Sequence, residues 1–204
     1  MTIKTHPILL TTLILGLFAL IGTTLVASTH QITKEKIKQN EYETLLKTLN
    51  SLIPSSSYDN QLIKDSVILK QNNGSDMTIY RARHNEQAIA AIINTSTKEG
   101  YNGLIQLIIG IHLDGSLAGV RILNHKETPG LGDAIEIRKS NWLTQFERKS
   151  LRQPKNIQWA VKKDGGTFDS ITSATITSRA VIKSIKQTLE YFLAHKSEIF
   201  EVKK

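Results

Sequence analysis

The sequence contains no cysteine among its 204 residues. Disulfide bonds, thiolate metal sites, iron–sulfur clusters and cysteine nucleophiles are therefore excluded from this chain, and cysteine usage says nothing about its redox compartment. Proline and methionine are also scarce, with 4 and 2 copies, and aromatic residues make up 6% of the chain. Any one-electron chemistry must come from a cofactor that the chain holds.

Acidic residues are outnumbered by basic ones, 18 against 26, so the formal net charge is +8. A net positive charge is typical of proteins that bind nucleic acid. Here, however, the Lys and Arg residues are scattered, and no basic patch interleaved with aromatic residues occurs. No P-loop, dinucleotide fingerprint or serine-nucleophile motif is present, and His112 with Asp114 is too small a group to hold a metal. The sequence therefore predicts no nucleic acid partner, no metal site and no catalytic residue.

One long run without any charge extends over residues 8–27 and is rich in Leu, Ile and Gly. Twenty residues are enough to cross a hydrocarbon core of about 30 Å as a helix. A cleaved signal peptide is the alternative, but Leu25-Val26-Ala27 is a poor cleavage site because Leu25 is bulky. An uncleaved transmembrane helix is the favoured interpretation.

Hydrophobic periodicity divides the chain into a short N-terminal segment 1–7, a transmembrane helix 8–27, a membrane-proximal helix 28–54 and a domain 55–204. Within that domain we predict strands at 77–84, 88–95, 104–113, 117–123 and 157–161, with a turn at 72–74 and a hairpin turn at 114–115. We also predict a helical patch at 134–146 and, after the last of these strands, an exit turn at 164–166. An amphipathic helix closes the chain. Strands in runs with helices at the ends predict an α+β fold around a mostly antiparallel sheet.

The hydroxyl-rich run 169–178 opens onto this last helix, for which Thr177 or Ser178 is the expected N-cap. Thr175 then lies just ahead of the helix start, where free N–H groups and the positive end of the dipole favour a phosphate. A simple cap without any ligand is the alternative on local physics alone.

The same run resembles the Asp-x-x-(Ser/Thr)-Gly-Ala-Thr motif of periplasmic FMN-binding domains. Five residues take the motif positions: Asp169, Thr172, Ser173, Ala174 and Thr175. The resemblance implies that the hydroxyl of Thr175 is esterified to the phosphate of FMN, and that Thr177 lies in the cofactor site. Ser173 departs from the motif, which has glycine there, and serine carries a steric cost at positive φ.

A second run, residues 124–133, is similar to the His-x-Glu-Thr-Pro-Gly-Leu-Gly signature of the G subunits of Rnf-type (Rsx) electron transport complexes. The matching residues are His125, Glu127, Thr128, Pro129, Gly130, Leu131 and Gly132. Residues 100–107 also resemble those proteins, and the likeness runs from the N-terminal apolar segment to the closing helix, which is nearly the whole chain. The C subunits of sodium-pumping NADH:quinone oxidoreductases are related proteins. We expect this loop and the Thr175 turn to form two walls of one flavin site.

The resemblance implies an electron-carrying subunit of an ion-translocating membrane complex, with domain 55–204 as an FMN-binding domain on the periplasmic side of a bacterial inner membrane. It also implies two kinds of partner, the other Rnf subunits and a flavin transferase that uses FAD and Mg²⁺. Charge alone argues for the opposite topology, since Lys4 precedes the span whereas three lysines follow it closely: Lys34, Lys36 and Lys38. A structural subunit without flavin is the alternative, and Ser173 is the residue that favours it.

Overall fold

The computed structural model describes residues 7–70 and 76–201, and it confirms the predicted α+β class. Two α-helices and five strands follow one another in the order α1 (Pro7–Asn50), β1 (Ser66–Lys70), β2 (Asp76–His84), β3 (Gln87–Gly100), β4 (Gly103–His112), β5 (Leu117–His125) and α2 (Thr175–Phe200). Five 3₁₀ turns also occur, at Ser55–Ser57, Gly132–Ile135, Trp142–Phe146, Asn156–Gln158 and Lys162–Asp164.

The five strands form one antiparallel sheet in the order β1-β2-β3-β4-β5, so each strand pairs with its neighbour along the chain. Four of the predicted strands are confirmed as β2 to β5, with β3 extending further than expected. The tight turn at residues 114–115 is confirmed as well, with Gly115 at φ +87°. Strand β1 was not predicted, and the predicted turn at 72–74 lies outside the described residues.

Helix α1 is continuous from Pro7 to Asn50, so the two helices predicted on either side of residue 27 are one helix. Among the described residues it alone is long and apolar enough, by length and composition, to cross a membrane. The chain divides between Leu46 and Lys47 into two compact units. The second unit therefore begins with the last turn of α1, where Leu49 is fully buried.

The core of the second unit lies between the sheet and α2. Alternate residues of β4 point to this side and are fully buried, as expected for a strand with period two: Ile105, Leu107, Ile109 and Ile111. They meet an apolar stripe on α2 that includes Val181, Ile185, Leu189 and Phe192. On the other face Leu52 lies against the sheet, where a Cβ built on Gly110 or Gly119 would come within 3.1 Å of it.

Two predicted elements are wrong. Residues 134–146 form no α-helix. Two short 3₁₀ turns with i→i+3 hydrogen bonds lie there, Gly132–Ile135 and Trp142–Phe146, because the charged residues Glu136, Arg138 and Lys139 interrupt the apolar pattern. Residues 157–161 form no strand: a 3₁₀ turn at Asn156–Gln158 is followed by irregular backbone, in which Val161 makes only an isolated bridge with Phe168. Trp159 and Val161 are buried by their side chains without joining the sheet, whereas Ile157 is 88% exposed.

Candidate functional site

The predicted attachment residue lies at the first position of helix α2. The helix begins at Thr175 with Ala174 as its N-cap, three or four residues before the two predicted N-caps, and Thr177 and Ser178 lie inside the first turn. Ser178 explains the difference, because its buried hydroxyl accepts the N–H of Ile171 and donates to the carbonyl of Ala174, both at 3.0 Å. The expected capping role of Ser178 is thus replaced by a bond that fastens the preceding turn to the helix.

Residues 171–174 form that turn, closed by a hydrogen bond of 3.1 Å from the N–H of Ala174 to the carbonyl of Ile171. Its third residue, Ser173, has φ +66°. A turn with a left-handed third residue favours glycine, which explains why the motif has glycine there. Thr172 and Ser173 are both exposed, so the turn presents its two hydroxyl side chains to solvent.

Replacing Ser173 by glycine should therefore stabilise the protein. The left-handed conformation costs an L-residue about 1–2 kcal/mol, of which the greater flexibility of unfolded glycine cancels about 0.5–1 kcal/mol. We expect a net gain of about 0.5–1 kcal/mol, measured as a higher urea midpoint. Thr172→Gly is the matched control, because Thr172 is not at positive φ and should only lose stability. Equal losses in both variants would contradict the strain at Ser173.

Asp169, at the head of the motif, is held mainly through its backbone. Its N–H donates to Gln145 Oε1 at 2.8 Å, and its carbonyl accepts Trp142 Nε1 at 2.7 Å. The carboxylate is exposed and pairs with Lys162 Nζ at 2.7 Å. Gln145 and Trp142 therefore anchor the start of the motif, while the charged group remains at the surface. Gln145 carried no signal in the sequence.

The two predicted segments meet through Glu127 and Thr177. The hydroxyl of Thr177 donates to Glu127 Oε2 at 2.5 Å, and the two side chains are only 1% and 5% exposed. Gly132 lies beside them, since a Cβ built on it would lie 2.8 Å from Glu127 Oε2 and 3.2 Å from Thr177 Oγ1. The expectation that the loop and the attachment turn lie side by side agrees with this geometry. Gly132 makes room for Glu127 and Thr177 rather than for a ligand.

The rest of the loop is a compact turn around the carbonyl of Thr128, which accepts N–H groups of Leu131 and Gly132, both at 3.1 Å. Pro129, Gly130 and Leu131 are exposed, and Gly130 has φ +77° with open space around it. These three residues are thus available to a ligand or a partner, unlike Glu127 and Gly132.

The side chain of His125 bonds to Glu136 and to the backbone of Glu127. Its Nδ1 accepts the N–H of Glu127 at 3.0 Å, so its proton resides on Nε2, which donates to Glu136 Oε1 at 3.0 Å. Glu136 also pairs with Arg138 and with Lys139 Nζ at 3.3 Å. The hydrogen bond from Arg138, with smaller contributions from His125 and Lys139, lowers the pKa of Glu136 from 4.5 to about 2. Glu136 was not identified from the sequence.

Removing Arg138 should raise the pKa of Glu136 from about 2 towards 4.5. Because the folded pKa is depressed, this carboxylate stabilises the fold above pH 4.5 and loses that contribution as pH falls towards 2. In Arg138→Ala the loss should occur at higher pH, and an NMR titration of the Glu136 carboxyl carbon measures it. Lys126→Ala, an exposed cation of the same loop, should leave the titration unchanged. A Glu136 pKa that stays near 2 without Arg138 would refute this assignment.

The four aromatic residues near the motif pack mainly on one another. Phe168 contacts Phe146 and Trp159 with ring centroids 4.8 and 4.7 Å apart, and all three are buried. Trp142 meets the edge of Phe146 at 5.2 Å and is partly exposed. They form a core cluster under the motif, not a stacking platform for a ring.

The start of α2 fits a phosphate group. Ala174 provides no side-chain cap, and within residues 76–201 the N–H groups of Thr175, Ile176 and Thr177 have no acceptor. The hydroxyl of Thr175 likewise has no hydrogen-bond partner in that part of the chain, and its side chain is partly exposed. Free N–H groups at the positive end of a 26-residue helix are suited to bind an anion.

The domain is an FMN-binding domain, since the family of that description matches residues 100–190. The matched range contains both motif segments. A second family, described as the RnfG N-terminal region, matches residues 1–52.

Proteins named as the G subunits of ion-translocating oxidoreductase complexes are similar to this chain along most of its length. The relative from Shewanella baltica is 45% identical over 97% of this chain and 95% of its own length. Those from Pseudoalteromonas atlantica and Pseudomonas aeruginosa are each 44% identical over 92% of this chain and 89% of their own length. The chain therefore belongs to the family of G subunits of ion-translocating oxidoreductase complexes.

Proposed function

We propose that this protein carries electrons through an FMN joined by a phosphoester to the hydroxyl of Thr175. The observation that carries the proposal is the helix start, where the Thr175 hydroxyl and three backbone N–H groups have no partner within residues 76–201. Bound FMN supplies one- and two-electron transfer chemistry, which the side chains of this chain lack. The polypeptide supplies the oxygen atom to which the FMN is attached, and it determines the position and the polar surroundings of the flavin.

The attachment reaction requires a partner. In it the Thr175 oxygen attacks the flavin-side phosphorus of FAD, the pyrophosphate bond breaks, AMP leaves and the hydroxyl proton goes to a base. A threonine hydroxyl is a weak nucleophile that needs a base or metal. The described residues near Thr175 provide no such base, because the carboxylate of Asp169 pairs with Lys162 and that of Glu127 accepts from Thr177. A separate Mg²⁺-dependent flavin transferase completes the reaction.

We also propose that residues 8–27 anchor the protein in the inner membrane, with the FMN-binding domain on the periplasmic side. The apolar side chains of this segment are exposed along the helix, for example Leu13 at 70% and Phe18 at 69%. A covalent bond suits an extracytoplasmic cofactor because free flavin would be diluted there. The other subunits of the complex would then be its electron donor and acceptor.

Intact-mass spectrometry of the protein from its natural host tests the proposal. The expected result is a single adduct with the mass of FMN minus water, and peptide mapping places it on Thr175. An unmodified protein from cells that contain the transferase would instead indicate a structural subunit without flavin. Accessibility of a cysteine introduced at exposed Thr172, in intact spheroplasts, tests the periplasmic placement.

A further inference from the structure

One short hydrogen bond fastens the first turn of α2 to the loop that follows β5. Thr177 occupies the third position of the helix, and its hydroxyl donates to Glu127 Oε2 at 2.5 Å. The pair is almost fully buried. The carboxylate oxygen accepts this hydrogen bond from the hydroxyl. The backbone N–H of Thr177 remains without an acceptor among the described residues.

Glu127 is itself held in one place from several sides. Its Oε1 accepts the N–H of Asn102 at 3.1 Å, in the turn between β3 and β4. A Cβ built on Gly100 would lie 2.7 Å from Oε1, and one built on Gly132 would lie 2.8 Å from Oε2. Two glycines thus make the space that the carboxylate fills, and its position is determined by backbone on both sides.

This arrangement differs from ordinary capping. A Ser, Thr, Asp or Asn at the N-cap accepts a hydrogen bond from the second or third N–H and so occupies the groups that could bind a phosphate. Here the N-cap is Ala174, and Glu127 reaches the helix through a side-chain hydroxyl. The first turn is held in place while all three N–H groups of residues 175–177 stay open.

We propose that Glu127 is a positioning residue for flavin attachment. Through the hydroxyl of Thr177 it fixes the first turn of α2 so that the Thr175 oxygen and the open N–H groups face the incoming phosphate together. Glu127 contacts neither the flavin nor the phosphate in this role. The inference rests on the proposed attachment at Thr175, but the ordering of the helix start by Glu127 is measurable without any flavin.

The test uses the full-length protein and five variants: Thr177→Val, Thr177→Ser, Thr188→Val, Glu127→Ala and the double variant Glu127→Ala/Thr177→Val. Valine at 177 keeps the shape but removes the donor, and serine keeps the donor. Thr188→Val is the matched control, because Thr188 is buried in the same helix and its hydroxyl donates only to Ser184 of that helix. Hydrogen exchange of the amides of residues 178–181, which close the first turn, is measured in protein without flavin. The rate of attachment with purified transferase and FAD is measured separately.

In Thr177→Val we expect these amides to exchange at least about tenfold faster, the effect of losing one hydrogen bond to a buried charge. Attachment should slow by at least a similar factor. Thr177→Ser should restore both rates, and Thr188→Val should leave both unchanged. The double variant Glu127→Ala/Thr177→Val should be no slower in attachment than Glu127→Ala alone, because the two residues act through one bond.

Three results would overturn the inference: unchanged exchange at 178–181 in Thr177→Val, faster exchange spread evenly over the whole domain, or faster local exchange with normal attachment. Faster exchange over the whole domain would mean that the Glu127–Thr177 hydrogen bond contributes only to overall stability. If the wild-type protein accepts no flavin at all, the proposed function fails, and with it the positioning role. The exchange data would then still report whether Glu127 orders the helix start.

Discussion

Thr175→Ala protein is expected to leave transferase-containing cells with no covalent flavin, whereas the wild-type protein gives a fluorescent band after denaturation. The substitution removes the only atom that can form the proposed ester. It should not disturb folding, because the Thr175 hydroxyl has no hydrogen-bond partner among residues 76–201 and alanine is favourable in a helix. We expect complete loss of in-gel fluorescence with a change in stability within about 0.5 kcal/mol.

Thr167→Ala is the control for this experiment. Thr167 is an exposed hydroxyl residue just before the motif, and its loss should leave the fluorescent band at wild-type strength. Fluorescence that persists in Thr175→Ala would show that the flavin is attached elsewhere. If both variants lose the band, flavin attachment depends on more than the Thr175 hydroxyl. The intact masses of the two proteins then show whether any flavin is attached to either.

The sheet could be predicted where the sequence pattern is strong. Strand β4 is almost continuously apolar and β-branched, and the Asp114-Gly115 turn into β5 has a standard hairpin composition. Strand β1 has only five residues, none of them buried, so its alternation is too short and weak to recognise. Residues 157–161 show the opposite error, because Trp159 and Val161 are buried in irregular backbone that mimics a strand in composition.

The two motifs of the site could be predicted from the sequence, but the contact that joins them could not. Resemblance identified both the Thr175 turn and the loop at 124–133, and the side-by-side placement expected for them agrees with the Glu127–Thr177 bond. Those two residues are 50 positions apart, and no local pattern predicts such a contact. The N-cap was misplaced by three or four residues because Thr177 and Ser178 look like caps, whereas their hydroxyls bond to Glu127 and to the preceding turn.

A side chain at Gly166, in the turn that leads into the motif, is expected to cause a large loss of stability, because there is no space for it. A Cβ built on it would lie 2.0 Å from the carbonyl oxygen and 2.3 Å from the carbonyl carbon of Ala160. No rotamer change can relieve a clash with backbone, so the segment around Ala160 must move. That carbonyl also accepts the N–H of Phe168 at 3.2 Å, next to Asp169. We expect Gly166→Ala to destabilise the domain by more than about 3 kcal/mol in urea unfolding.

Gly165→Ala is the control that separates the steric clash at Gly166 from the cost of placing an L-residue at positive φ. Gly165 has φ +80° but open space around it, so alanine there should cost only the left-handed penalty of about 1–2 kcal/mol. The two variants should also differ in function. Displacing Phe168 moves the start of the motif, so Gly166→Ala should lose most of its covalent flavin at a temperature where Gly165→Ala remains labelled. Equal unfolding midpoints for both variants would mean that the Ala160 segment yields easily, and that the motif does not depend on the packing beneath it.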